Sequence, residues 1–92
     1  MKIVRAIMTG KVQGVWFRAW TVKEAQKRNL RGWVQNLRDG SVEALFAGEP
    51  AIVDDMLKAC HQGPPLAKVV GVAVSDATGE TVPGDFAQRG AD

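Results

Sequence analysis

A single cysteine and a single histidine stand in the 92 residues, which removes several kinds of chemistry at once. With only Cys60, no disulfide can close within the chain, which fits a reducing compartment. With only His61, no His/Cys cluster has the spacing of metal ligands. Net charge is also small: 12 Lys and Arg against 10 Asp and Glu leave +2. That helps to draw in a small anion but is not the basic stripe of a nucleic-acid-binding domain. The densest basic stretch, Lys27-Arg28 to Arg31, is broken by Asn29 and Leu30 and reads as solvated helix-end charge. No run is long and apolar enough to span a membrane, and Lys2 and Arg5 interrupt the segment where a signal peptide would need a continuous apolar stretch. The expected location is cytoplasmic.

Hydrophobic residues make up 46% and charged residues 24% of the chain, a balance that argues for a folded globular protein and against disorder. The length fits one domain over residues 1–92. Lys2 to Thr9 reads as a strand, followed by a loop framed by Gly10 and Gly14. Phe17 to about Asn29 favours helix, with Phe17, Trp20, Thr21 and Ala25 on one side. Gly32 reads as a break before a strand from Trp33 to Leu37. Asp39-Gly40 suits a tight hairpin turn. In the next strand Val42, Ala44 and Phe46 alternate with Glu43, Leu45 and Ala47, which gives one face better suited to a core.

Pro50 opens a second helix, where its missing N–H costs nothing. Ile52, Val53, Met56, Leu57 and Cys60 form its apolar stripe. Cys60 on that stripe reads as a small core residue, and His61 as a surface residue near the helix C-terminus. Gly63-Pro64-Pro65 ends the helix, and Val70, Val72 and Val74 mark a fourth strand. The order predicts an α+β, ferredoxin-like βαββαβ sandwich: one antiparallel sheet with two helices on one face. Right-handed crossovers then place the first and third strands together at the centre.

The stretch most suited to chemistry is Gly10-Lys11-Val12-Gln13-Gly14-Val15-Trp16-Phe17-Arg18. A glycine-bounded loop running from a strand into a helix can turn several backbone N–H groups toward one point. The helix N-terminus adds free amides and positive partial charge. Arg18, in the first helical turn, could clamp a phosphate with its fork of donors. The Gly-Lys-Ser/Thr ending of a nucleotide-binding P-loop is missing. On these residues alone, two readings stand: a phosphate site, or a tight connection with Arg18 as an exposed helix cation.

The loop resembles the acylphosphatases, which carry Gly-x-Val-Gln-Gly-Val-x-(Phe/Tyr)-Arg; Gly10 through Arg18 fill every fixed position. A second motif of that family, Gly-(aromatic)-Val-x-Asn-x-x-x-Gly-x-Val followed by a more distant Gly, is filled by Gly32, Trp33, Val34, Asn36, Gly40, Val42 and Gly48. The resemblance covers about residues 2–75. It implies a hydrolase that splits acyl phosphates into carboxylate and inorganic phosphate, without metal or organic cofactor. Arg18 matches the arginine that holds the substrate phosphate. The amides of Lys11, Val12, Gln13, Gly14, Val15 and Trp16 match the phosphate cradle, and Asn36 matches the asparagine that orients the attacking water. A small-molecule substrate and a monomer are the implied partners, with neither nucleic acid nor membrane.

Beside these roles, Gln13 reads as a loop hydrogen-bonder that fixes the cradle, Trp33 as a core residue and Lys11 as a solvated lysine. Trp16 either flanks the pocket mouth or shields the loop. Two rival readings share the fold. An RNA-recognition domain needs exposed aromatics on its central strands, and Ser41 to Gly48 offers only Phe46, on the core side. A catalytically degenerate phosphate- or carbamoyl-phosphate-binding domain would have lost site residues, yet Arg18 and Asn36 are both present. The tail departs from the family pattern: Phe86 begins only a weak edge strand, because Ala87 and Gln88 lack alternation and Gly84 and Gly90 bracket it. Fast hydrogen exchange is therefore expected after Thr78.

Overall fold

Strand β1 (Lys2–Lys11) leads into helix α1 (Phe17–Lys27), followed by β2 (Arg31–Asn36), β3 (Val42–Gly48), α2 (Pro50–Gln62), β4 (Lys68–Asp76) and β5 (Phe86–Gln88). The structure is a computed structural model that describes residues 1–89; Gly90, and with it the end of the expected 1–92 domain, lies outside the described residues. The five strands form one sheet in the order β4-β1-β3-β2-β5, with β1 and β3 adjacent as the crossover rule requires. This is the ferredoxin-like βαββαβ arrangement with one strand added at the end of the chain.

The alternation of the strands explains where the core lies. Paired residues on neighbouring strands point to the same face, so Val4, Ala6 and Met8 of β1, Val42, Ala44 and Phe46 of β3, and Val34 of β2 line one side. Both helices pack on it, α1 through Phe17 and Ala25, α2 through Val53, Met56 and Cys60. Cys60 is fully buried, as its place on the stripe predicts.

Several boundaries differ from the sequence reading. β1 continues through Gly10 to Lys11, because β4 pairs with it to the end across a register shift between Thr9 and Gly10. Gly10 is required there: an added Cβ would lie 2.3 Å from the Lys68 carbonyl oxygen. Helix α1 stops at Lys27, and Asn29 takes a left-handed conformation after it. Gly32 is no break but lies inside β2, paired with Phe46. In β4, Val72 is half-buried, whereas Val70, at the register shift, is 83% exposed.

The largest correction concerns the tail. β5 forms and pairs in parallel with β2, so the sheet is mixed and not wholly antiparallel. Phe86 is buried and stacks on Phe46. Arg31 donates through Nε to the Pro83 carbonyl and through Nη2 to the Val82 carbonyl, and the Gly32 amide donates to Asp85 O. The segment between β4 and β5 crosses the helix-free face, where Ala77 and Val82 cover Trp33 and Leu45. Both faces of β3 are therefore buried, contrary to the one-sided core expected. The tail is held by main-chain pairing and two aromatic rings, which the expectation of fast exchange after Thr78 did not allow for.

Candidate active site

The C-terminal ends of β1 and β2 and the start of β3 lie at one end of the sheet. Val42 pairs with Met8 on one side and with Asn36 on the other, so the three form one rung across the strands. Two strand spacings separate Met8 from Asn36, about 10 Å. Being paired in one rung, all three side chains point to the face that carries the helices. Asn36 is half-buried there as the last residue of β2, and its side chain has no hydrogen-bond partner among the described residues.

The loop from β1 to α1 runs over the same end. Val12 and Val15 are 1% and 2% exposed, so their side chains pin the loop into the core. Between and after them the backbone changes hand: Gly14 has φ 74° and Trp16 φ 67°, while Gln13 and Val15 stay at negative φ. Such alternation gathers successive amides into a concave nest that favours an anion. Among the described residues, the amides of Val12, Gln13, Gly14, Val15 and Trp16 donate to no backbone or side-chain acceptor of the protein. Trp16 is also the N-cap of α1 and supplies no side-chain cap, which leaves the first helical amides unpaired too. Gly14 would meet no atom with a Cβ, so its left-handed backbone alone demands glycine.

Charge is distributed unevenly. Lys2, Arg5, Lys27 and Arg28 each meet a carboxylate within 3.4 Å. Arg18, half-buried in the first turn of α1, forms no ion pair or side-chain hydrogen bond among the described residues, and neither does Lys11. Lys11 is exposed at the end of β1, in register with Lys68, and so belongs to the strand end more than to the loop. In the β2–β3 turn, Ser41 donates its hydroxyl and its amide to Asp39 and holds that carboxyl below the usual range. Cys60 is fully buried on α2, and burial pushes its thiol up to about 12. His61 is exposed at the end of α2.

The loop and the hairpin are joined by Gln13. Its Nε2 donates to Leu37 O and to Ser41 O, each at 2.8 Å. The glutamine and its family position are legible in the sequence; its partners are not, since a main-chain carbonyl carries no residue signature. Trp16 is 76% exposed and Trp33 is buried on the helix-free face.

Comparison with known proteins places the chain in a family. The acylphosphatase family model matches residues 4–88. The chain is 48% identical over 89 residues to an acylphosphatase of Rhodospirillum rubrum, covering 97% of both chains. It is 53% identical over 76 residues to an acylphosphatase of Alcanivorax borkumensis, covering 83% of each. The crystal structure of acylphosphatase from Bacillus subtilis superposes with a TM-score of 0.92 at 36% identity, over 97% of this chain and 99% of that one. With the family pattern matched over nearly its whole length and relatives this similar, the chain belongs to the acylphosphatase family of hydrolases, which act on small acyl phosphates.

Proposed function

We propose that the chain performs its family's reaction with Arg18 and the Val12–Trp16 amides holding the phosphoryl group and Asn36 orienting the attacking water. Lys11, paired with Lys68 at the strand end, is left out of the cradle that the sequence suggested. The observation that carries this reading is the run of amides from Val12 to Trp16 without a protein acceptor, leading into a helix whose first turn holds the unpaired Arg18. Such amides need an acceptor that the protein itself does not supply. A phosphoryl group offers three equatorial oxygens for them, and the guanidinium fork suits two at once.

The chemistry asks little else of the protein. Water attacks phosphorus in line, the bond from phosphorus to the bridging oxygen breaks, and the carboxylate leaves with that oxygen. Its conjugate acid has a pKa of about 4, so it departs without a general acid. The proton of the attacking water passes to a phosphoryl oxygen, and no side-chain base takes part. Phosphoryl transfer then depends on positioning and on stabilising charge over the equatorial oxygens. Asn36 can accept from the water through its carbonyl oxygen and donate through its amide, which fixes the water's direction.

The reading includes a single domain acting as a monomer in the cytoplasm, since one chain supplies the loop, the helix and the hairpin. The test is hydrolysis of benzoyl phosphate followed by absorbance in buffer containing EDTA, with Arg18→Ala as control. Rapid turnover by the parent and none by the folded variant is expected. No turnover by the folded parent overturns the reading.

A further inference from the structure

We infer that Gln13 is a positioning residue that sets Asn36 against the phosphate loop, acting through the two carbonyls that close the β2–β3 hairpin. This rests on the roles proposed above for the loop and Asn36. Leu37 O already accepts the Gly40 amide at 3.2 Å, and Ser41 O accepts the Leu37 amide at 2.9 Å. A carbonyl oxygen has two lone pairs, and Gln13 takes the second of each with the two hydrogens of one Nε2. Both donors of the side-chain amide are thus spent on the mouth of the hairpin. The amide cannot turn over, because its oxygen would then face two carbonyl oxygens.

The position of this tie gives it more than a structural role. Gln13 stands within the amide run, between the buried anchors Val12 and Val15. Leu37 directly follows Asn36, and Ser41 directly precedes Val42, the residue paired with Asn36. No other side-chain hydrogen bond among the described residues joins the β1–α1 loop to this hairpin. The loop would hold phosphate without it. What the tie fixes is where the water-bearing Asn36 stands relative to that phosphate. A misplacement of about 1 Å is enough to cost about a hundredfold in rate.

The experiment compares Gln13→Glu with the parent as a function of pH. Above the pKa of the introduced carboxyl, a carboxylate faces two carbonyl oxygens and the hairpin is pushed away. Below it, the protonated group donates one hydrogen bond and the tie is partly restored. The ratio of variant to parent kcat, which cancels titration of the substrate, is expected to rise at least about tenfold between pH 7.5 and pH 5. In the uncharged Gln13→Met, inhibition by inorganic phosphate at neutral pH should stay within about threefold of the parent while kcat falls at least about tenfold; the glutamate variant is read only by its pH ratio, because its carboxylate would itself repel phosphate. A pH-independent ratio in Gln13→Glu, or phosphate affinity lost in proportion to kcat in Gln13→Met, would overturn the inference.

Gln13→Met, uncharged and of similar length, guards against misfolding of the glutamate variant. Folded by circular dichroism, it should show the same fall in kcat with phosphate affinity kept. The Asn36 side-chain amide signals in nitrogen–proton spectra give a readout independent of turnover. They should move in Gln13→Met, and unmoved signals would sink the inference. If the parent hydrolyses no acyl phosphate, the function reading fails, and these signals still decide whether Gln13 sets Asn36.

Discussion

Phe46 and Phe86 stack with ring centroids 5.5 Å apart and 14° between their planes. Phe46 belongs to a central strand and Phe86 to the last one, and the two meet on either side of Gly32, which pairs with both. A Cβ at position 32 would run into the Leu45 carbonyl and stand 3.3 Å from the Phe86 ring, so the strand passes between its neighbours only as glycine. The tail of the chain is therefore fastened to the middle of the sheet.

Phe86→Ala should destabilise the fold by about 3–5 kcal/mol, since it opens a cavity against Phe46 and releases β5. A urea titration would measure this. The Arg89 amide, bonded to Val34 O at 2.8 Å, should be protected from hydrogen exchange in the parent. Exchange of that amide at the free-peptide rate would contradict the strand.

Gly32→Ala should also destabilise the fold, by a different route. The added Cβ would stand 1.8 Å from the Leu45 carbonyl oxygen at a φ of 137°. Main chain cannot yield as a flexible side chain can, so a loss of about 1–3 kcal/mol or more is expected. A melting temperature equal to the parent's would show that the strands can separate there.

Asn36→Ala and Arg18→Ala should fail differently. Loss of Arg18 should remove inorganic-phosphate inhibition and turnover together. Loss of Asn36 should leave phosphate inhibition within a few-fold and lower kcat by about 10²–10³. Full activity in Asn36→Ala would take that residue out of the mechanism.

Acid should weaken one part of the helical layer. Arg28 donates to the Glu24 carboxylate at 2.8 Å and holds that carboxyl below its ordinary 4.5, with Lys27 nearby adding to the effect. A depressed folded-state pKa means that the stabilisation is present above the unfolded value and lost as pH falls through the folded one. Glu24→Gln should therefore be less stable than the parent at pH 7 and equal to it in strong acid. Parallel stability curves across that range would show that the pair contributes nothing.

The site was legible where residue identity carries the chemistry. Arg18 and Asn36 fill the family's motif positions that the proposed roles require, and the left-handed backbone at position 14 asks for the glycine found there. The β1–β3 neighbourhood was legible too, because the handedness of crossovers leaves little choice. The tail was not. Ala87 and Gln88 have no alternation, and what makes β5 a strand is the ring of Phe86 together with the free edge of β2. The burial of Leu45 was hidden for the same reason, since the residues that cover it, Ala77 and Val82, come from a stretch that reads as polar loop.

Asn36 ends β2 and the proposed phosphate loop follows β1, two strands that do not touch: β3 stands between them. The hairpin of β2 and β3 can close locally, but the site is complete only once β1, more than thirty residues away along the chain, has docked on β3. Pairings so distant in sequence are the slow events of folding. Recovery of turnover during refolding is therefore a clock for that docking, and the enzyme reports its own completion with every molecule of substrate it cleaves.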